Sequence, residues 1–180
     1  MSVIDKMVAA ITPPESEEAR AEARAKAEAI AAPGSWLAQI LGHHREIEVR
    51  FADVKAATSP AERKAAEKKL ALILTAHAIA EEAAIYPALA ADQQVGRAEL
   101  AYQEQAAAKM ELGLLERLDP MSKDYLDKLE HIRGAVAHHV YSEEGTWFPA
   151  LSEDVDTGEQ VRITERYSEE FARYSQSEMT

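Results

Sequence analysis

Two segments of this sequence repeat each other, and each places a histidine four residues before a glutamate. The first copy runs from His77 to Leu89 and the second from His139 to Leu151, so the second copy begins 62 residues after the first. Residues i and i+4 of a helix lie on one face, one turn apart. The imidazole and carboxylate of each copy can therefore reach a single metal ion. Two such pairs in register predict one metal centre that both copies build.

Each copy must lie on a long helix, because the apolar residues around it recur at helical spacing. We predict four bundle helices: one from Trp36, a second from about Ala61 to Tyr86, a third from about Arg97 to Leu118, and a fourth opened by Ser122. Each copy is expected to end its helix at an aromatic-Pro-Ala-Leu sequence, because proline lacks an amide hydrogen. Short connections between these helices predict an up-down-up-down bundle.

Further helices flank the bundle at both ends of the chain. Residues 2–11 carry an amphipathic pattern and residues 15–32 are rich in alanine, glutamate and arginine, while residues 152–158 read as a loop before a last amphipathic helix over 159–174. The fold class is therefore all-α, a four-helix bundle with extra N- and C-terminal helices. We divide the chain into an N-terminal helical extension, the bundle and a C-terminal helical extension, at residues 1–34, 35–151 and 152–180.

The other two bundle helices are expected to complete the metal centre. His44 lies on the inner stripe of the first helix, with His43 rotated toward its edge. The third helix has no histidine at this level; it offers Glu104, a good anionic ligand, and Gln105, a weak neutral one. Imidazole and carboxylate together suit iron, manganese or zinc. The predicted ligand set is His44, His77, Glu81, Glu104, Gln105, His139 and Glu143.

This order of residues resembles the hemerythrin-like HHE cation-binding family over about residues 35–151. Both copies carry the family's paired glutamates and its aromatic-proline ending. The resemblance implies a bundle around a non-haem di-iron centre, in which the two motif glutamates bridge the metals. It also implies a small ligand, since family members bind O2, sense oxygen or iron, or handle peroxide or nitric oxide. The positions that match family ligands are His44, His77, Glu81, His139 and Glu143.

Two positions depart from the family pattern. The family usually has Asp-His where this chain has His43-His44, so a carboxylate beside the ligand histidine is missing. Gln105 stands where a histidine ligand is usual. The resemblance therefore implies unequal halves of the centre: one metal is under-coordinated, held by Glu104 instead, or absent.

Composition limits the partners and the chemistry. The net charge is −12, which argues against nucleic acid and anionic membrane as partners. No cysteine is present, so thiolate metal sites, iron–sulfur clusters and cysteine nucleophiles are excluded. No apolar run reaches the roughly 20 residues that a membrane-spanning helix needs. Without a secretory pattern at the start, we expect a cytoplasmic protein.

Two functions of different classes fit these observations. The first is a cytoplasmic non-haem iron protein that binds, senses or reduces a small oxidant, namely O2, peroxide or nitric oxide. The second is a regulatory or interaction protein on the same bundle, with one metal or none, whose terminal helices form the working surface or a homodimer contact. Both histidine–glutamate pairs favour the first function, and Gln105 favours the second. The sequence leaves open whether the protein is an enzyme, a sensor or a carrier.

Several large side chains are given structural roles. We expect Tyr86 and Trp147 to close one end of the bundle. Met110, Leu114 and Leu118 are expected to pack in the core.

Overall fold

The computed structural model describes residues 15–92 and 94–177, which form helices and short connections without a strand. The all-α prediction is confirmed, while the predicted helix over residues 2–11 lies outside the described residues. The helices are α1 (Glu17–Ile30), α2 (Trp36–Ala56), α3 (Pro60–Ala91), α4 (Val95–Leu115), α5 (Lys123–Ser142), α6 (Phe148–Asp154) and α7 (Thr157–Ser177), and a π-helical turn (Glu143–Trp147) joins α5 to α6.

Serine caps begin the bundle helices where the sequence predicts them. The hydroxyl of Ser35 accepts a hydrogen bond from the third residue of α2, and Ser122 does the same for α5. Ser59 and Glu62 form a capping box at the start of α3. Each cap satisfies amides that the first helical turn leaves without a partner.

Helices α2 to α5 form the four-helix bundle, in which each helix packs on the next along the chain and α5 returns to α2. Helix α7 packs along α3 and also contacts α2. Helix α1 lies across α2, α5 and the π turn. The two flanking helices therefore cover the bundle within one chain, on different sides.

The two proline sequences do not end their helices, contrary to the prediction. Helix α3 continues through Pro87 to Ala91, and the second copy continues through Pro149 to Asp154. A proline removes one backbone hydrogen bond, but the residues around both prolines are buried, so packing holds the helix together. In the second copy the helix first widens into the π turn, in which the amide of Phe148 donates to the carbonyl of Glu143.

The predicted loop over residues 152–158 is also mostly helical. Helix α6 runs to Asp154 and α7 begins at Thr157, so only two residues connect them. The Asp156 carboxylate accepts a hydrogen bond from the Glu159 amide, 2.9 Å away, and caps the start of α7.

A polar layer divides the apolar core into two clusters. One cluster surrounds Trp36, Tyr86 and Phe148, and the other surrounds Phe51 and Tyr125. On α2, α3 and α4, one or two buried polar residues lie between the segments that enter the two clusters. In the second copy, α5 enters one cluster, and the π turn and α6 enter the other. The buried residues of the polar layer are His44, His77, Glu81, Gln105, His139 and Glu143.

Helix α4 turns a different face inward than the apolar pattern suggests. Met110 and Leu114, predicted to be core residues, are 67% and 44% exposed, and Leu118 is only partly buried. The buried face is instead the one that carries Gln105 together with Ala98, Ala101, Leu112 and Leu115. The inward face of α4 therefore combines small and apolar residues with one residue of the polar layer.

Among the described residues, α3 is long and apolar enough to span a membrane by length and composition alone. An 18-residue window of this helix has a mean hydropathy of 1.2, and 61% of the window is buried. This helix contains no continuous apolar run of that length, and its many alanines raise the mean hydropathy of the window. The burial fits the core helix of a bundle.

Gly34 makes the turn between α1 and α2 with a φ of +76°, and a Cβ at this position would meet nothing within 4 Å. We expect Gly34→Ala to lower the free energy of unfolding by about 1 kcal/mol, because only the left-handed backbone resists the substitution. Gly134→Ala, at an exposed position inside α5, should raise it by about 0.5–1 kcal/mol through helix propensity. Denaturant unfolding of both variants measures this difference; equal effects of the same sign would contradict it.

Candidate metal centre

The two histidine–glutamate pairs face each other in the bundle core. The Nε2 atom of His77 lies 3.3 Å from Oε2 of Glu81, and Nε2 of His139 lies 3.1 Å from Oε1 of Glu143. The i, i+4 spacing therefore produces the predicted pairing on both helices. Glu81 and Glu143 are fully buried.

Helix α2 adds His44, whose side chain is fully buried. Its Nε2 atom lies 3.4 Å from Oε2 of Glu143, so the Glu143 carboxylate presents one oxygen to His44 and the other to His139. One ligand atom each from His44, His77, Glu81 and Glu143 lies within 4.8 Å of the others. These four residues could hold one metal ion together.

Each of the three histidines is held by an oxygen atom on its other ring nitrogen. Nδ1 of His44 contacts Glu144 at 2.8 Å, and Nδ1 of His139 contacts Glu104 at 2.7 Å. Nδ1 of His77 lies 3.1 Å from the hydroxyl of Tyr167. Such contacts fix the ring orientation, and they leave Nε2 of each of these three histidines facing the centre. The structure thus places Glu104, a predicted ligand, on the outer nitrogen of His139.

Gln105 and Tyr86 lie on the His139 side of the centre. The Tyr86 hydroxyl lies 3.1 Å from Glu81, 3.2 Å from Glu143 and 3.3 Å from Nε2 of His139. The Gln105 amide nitrogen donates to Glu81 at 2.6 Å and to the Tyr86 hydroxyl. Tyr86 is predicted to close the bundle end, but its hydroxyl reaches the centre.

The donor atoms suit a metal cation. Metal–ligand bonds of about 2.1 Å at right angles separate neighbouring donors by about 3 Å, close to the separations above. Several buried donor atoms have no hydrogen-bond partner within the described structure, which is costly without a cation. They are Oε1 of Glu81 and Oε1 of Gln105, while Nε2 of His44 and Oε2 of Glu143 have no hydrogen bond beyond their 3.4 Å approach to each other.

A family comparison agrees with this geometry. The family model described as the hemerythrin HHE cation binding domain matches residues 37–151. The chain belongs to the hemerythrin HHE family. The predicted resemblance is therefore confirmed, and the match begins in α2 and ends inside α6.

One curated relative is also similar. A DNA nickase from Nostoc sp. (strain PCC 7120 / SAG 25.82 / UTEX 2576) is 26% identical over 128 residues, which cover 71% of this chain and 35% of that protein. The chain therefore spans about a third of the length of this relative. No solved structure matches the chain significantly.

No carboxylate directly precedes His44 in the sequence, and the outer nitrogen of His44 contacts Glu144 of the second copy instead. In the second copy both glutamates point inward, and Glu144 also binds Arg24 of α1 at 3.1 Å. In the first copy the corresponding Glu82 turns outward and pairs with Lys109. The two copies therefore direct their second glutamates differently, and only Glu144 contacts a ligand histidine.

Sequence reasoning missed the contributions of three residues. Glu144 was visible as the second glutamate of its motif, but the π turn decides that it points inward. Tyr86 was visible in the Tyr-Pro ending of the first copy. Tyr167 carried no signal beyond its place on an amphipathic helix, four residues before Phe171.

Burial and neighbouring charges raise the pKa of some groups in the centre and lower the pKa of others. Burial alone would lower the pKa of His44, but Glu143 and Glu144 outweigh it and raise that pKa to about 9. Burial and the charge of Glu143 raise the pKa of Glu81 to about 8. Burial and the charge of His44 lower the pKa of His77 well below its usual value. Burial alone would also lower the pKa of His139, but Glu143 and Glu104 outweigh it and raise that pKa well above its usual value. At neutral pH the metal-free centre therefore carries protons on His44, His139 and Glu81.

These shifts predict that the metal-free protein loses stability between about pH 6.5 and 9. A raised folded-state pKa means that the folded protein binds the proton more tightly than the unfolded chain, so stability falls as pH rises through that interval, for His44 by at most roughly 3 kcal/mol. A bound cation competes with the protons on these ligand groups, so its affinity should rise with pH. Thermal melts with EDTA and with redox-inert Zn2+ should therefore separate increasingly from pH 6.5 to 9. A separation that shrinks with pH would contradict the assignment.

Proposed function

We propose that this protein binds non-haem iron at a di-iron-type centre and uses it to bind, sense or reduce a small oxidant. The observation that carries the proposal is the cluster of buried ligand atoms from His44, His77, Glu81 and Glu143, which lie within 4.8 Å of one another at one level of a hemerythrin bundle. Two buried carboxylates this close together are costly, and a cation is the simplest compensation for their charge.

The donor set supports iron over zinc. Neutral imidazole with carboxylate suits iron, manganese and zinc, but structural zinc usually takes four tetrahedral ligands. This centre offers three imidazoles, two buried carboxylates and further oxygens from Tyr86 and Gln105. Glu143, which faces His44 with one oxygen and His139 with the other, is suited to bridge two ions.

The two halves of the centre are unequal. One half has two histidines, His44 and His77. The other has His139 alone, with Gln105 and Tyr86 where a second imidazole would complete the set. We therefore infer that the His139 half holds its metal more weakly.

A cavity of about 140 Å³ supports access by a small ligand. It lies between α4 and α5, and its walls are largely apolar. His77, Gln105 and His139 line it, and each is 4–7% exposed, whereas His44, Glu81 and Glu143 are fully buried. Bound ferrous iron supplies electrons or an open coordination position for O2, peroxide or nitric oxide. The protein would orient the donors, and the apolar walls would exclude bulk water.

The alternative is a regulatory or interaction protein with one metal or none. The unequal halves favour this alternative, and a measurement of metal content decides between it and the iron protein.

We do not propose DNA cleavage from the similarity to the DNA nickase, because the match covers only 35% of that protein and the net charge of −12 opposes binding to DNA phosphates. Absence of nucleic acid and membrane partners, a cytoplasmic location and a homodimer stay predictions.

Removing a ligand histidine tests the site. We expect His77→Ala and His139→Ala to lose most bound iron, measured by elemental analysis of untagged protein, while circular dichroism stays helical. His138→Ala is the matched control, since this half-exposed neighbour of His139 on α5 pairs with Glu15 instead. Unchanged iron in both ligand variants would overturn the site.

Gln105→His tests the inequality of the two halves. The native protein should hold fewer than two irons per chain, because an amide donates less to the metal than an imidazole does. The substitution should raise occupancy toward two and strengthen the visible charge-transfer band. Gln103→His, at an exposed position on α4, is the control. Two tightly bound irons in the native protein, with no gain in Gln105→His, would mean that another group completes that half.

A further inference from the structure

Helix α7 lies outside the segment that the family model matches, yet it reaches the metal centre. The family match ends at residue 151, and α7 begins at Thr157. Tyr167 of this helix is fully buried. Its hydroxyl lies 3.1 Å from Nδ1 of His77 and 2.7 Å from Nδ1 of His43.

The hydrogen bonds of this trio have one consistent direction. Nε2 of His77 faces Glu81, so a neutral His77 that offers Nε2 to a metal carries its proton on Nδ1. That N–H donates to the Tyr167 oxygen. The hydroxyl proton of Tyr167 then donates to Nδ1 of His43, which acts as the acceptor.

Aromatic packing holds the trio in place. The His43 ring stacks on Phe171 with ring centroids 3.8 Å apart, and it also stacks on Tyr167 at 5.7 Å. Tyr167 and Phe171 are one turn apart on α7, so both rings pack against His43. The hydroxyl of Tyr167 contacts His77 at the same time.

Tyr167 thereby completes a pattern shared by the three histidines. His44 and His139 have carboxylates on Nδ1, from Glu144 and Glu104, whereas His77 has this phenol. Groups on the outer nitrogen of a ligand histidine are worth about 10–100-fold in metal affinity. Because the Tyr167 phenol is neutral whereas the other two groups are carboxylates, we expect its contribution to metal affinity to lie at the lower end of that range.

We propose that Tyr167 is a positioning residue for the metal ligand His77, so that α7 is a working part of the centre and not an appended helix. The proposal rests on metal binding as proposed above. Binding free energies are reciprocal, so metal bound at His77 and the docking of α7 should stabilise each other.

Tyr167→Phe keeps the ring and its packing but removes the hydroxyl. We expect Zn2+ affinity, measured by chelator competition, to fall about tenfold. In the zinc-loaded protein, long-range 1H–15N spectra should show a slowly exchanging Nδ1 proton on His77, and this proton should exchange rapidly in Tyr167→Phe. The matched control is Tyr125→Phe, which removes a fully buried hydroxyl near the start of α5, about four helical turns before His139, and should change neither readout.

Hydrogen exchange with and without zinc tests the coupling between the metal and α7. In the wild-type protein, zinc should slow exchange of the α7 amides. In Tyr167→Phe, the same addition should slow it less. Wild-type affinity together with an unchanged His77 proton signal in Tyr167→Phe would overturn the proposal, as would α7 amides that do not respond to zinc. A wild-type protein that binds no metal would instead overturn the proposed function.

Discussion

The burial of two carboxylates among three imidazoles is the constraint on which this structure depends. Glu81 and Glu143 have no exposed surface, and a buried carboxylate is costly unless protons, hydrogen bonds or a cation compensate its charge. All four bundle helices contribute side chains at this level, and the apolar core is split into a cluster on either side of it. Helix α4 turns Gln105 toward this level, while Met110 on another face of the helix is exposed.

The histidines of the polar layer are also fixed by contacts on the side that faces away from the centre. Every histidine whose Nε2 faces the centre has its Nδ1 against an oxygen of another helix, which fixes the tautomer and the ring plane. The flanking helices take part in this arrangement. Arg24 of α1 binds Glu144 and balances its charge, and Tyr167 of α7 contacts His77. The centre thus draws on the whole described chain and not only on the hemerythrin segment.

The repeated sequence does not produce a symmetric site. In the first copy α3 stays α-helical through Pro87, and Tyr86 enters the centre. In the second copy the helix widens into a π turn, so that both glutamates point inward and Glu143 contacts two histidines. A π turn inserts an extra residue into a helix and redirects the side chains that follow, which is why it is frequent at functional sites. The same motif therefore provides a single inward carboxylate in one copy and two in the other.

Interactions between residues close together in the sequence determine the positions of the helices and of the two histidine–glutamate pairs. Helical periodicity placed His77 with Glu81 and His139 with Glu143, serine caps marked the starts of helices, and the doubled motif indicated the family. These features depend on contacts within one or two turns, which sequence spacing encodes directly. Only the tertiary structure decided that both prolines lie inside helices, that Glu144 supplies the carboxylate for His44, and that Tyr167 reaches His77. Each of these depends on packing between segments far apart in the chain, such as the 90 residues between His77 and Tyr167, and local periodicity carries no information about which face of a distant helix will dock.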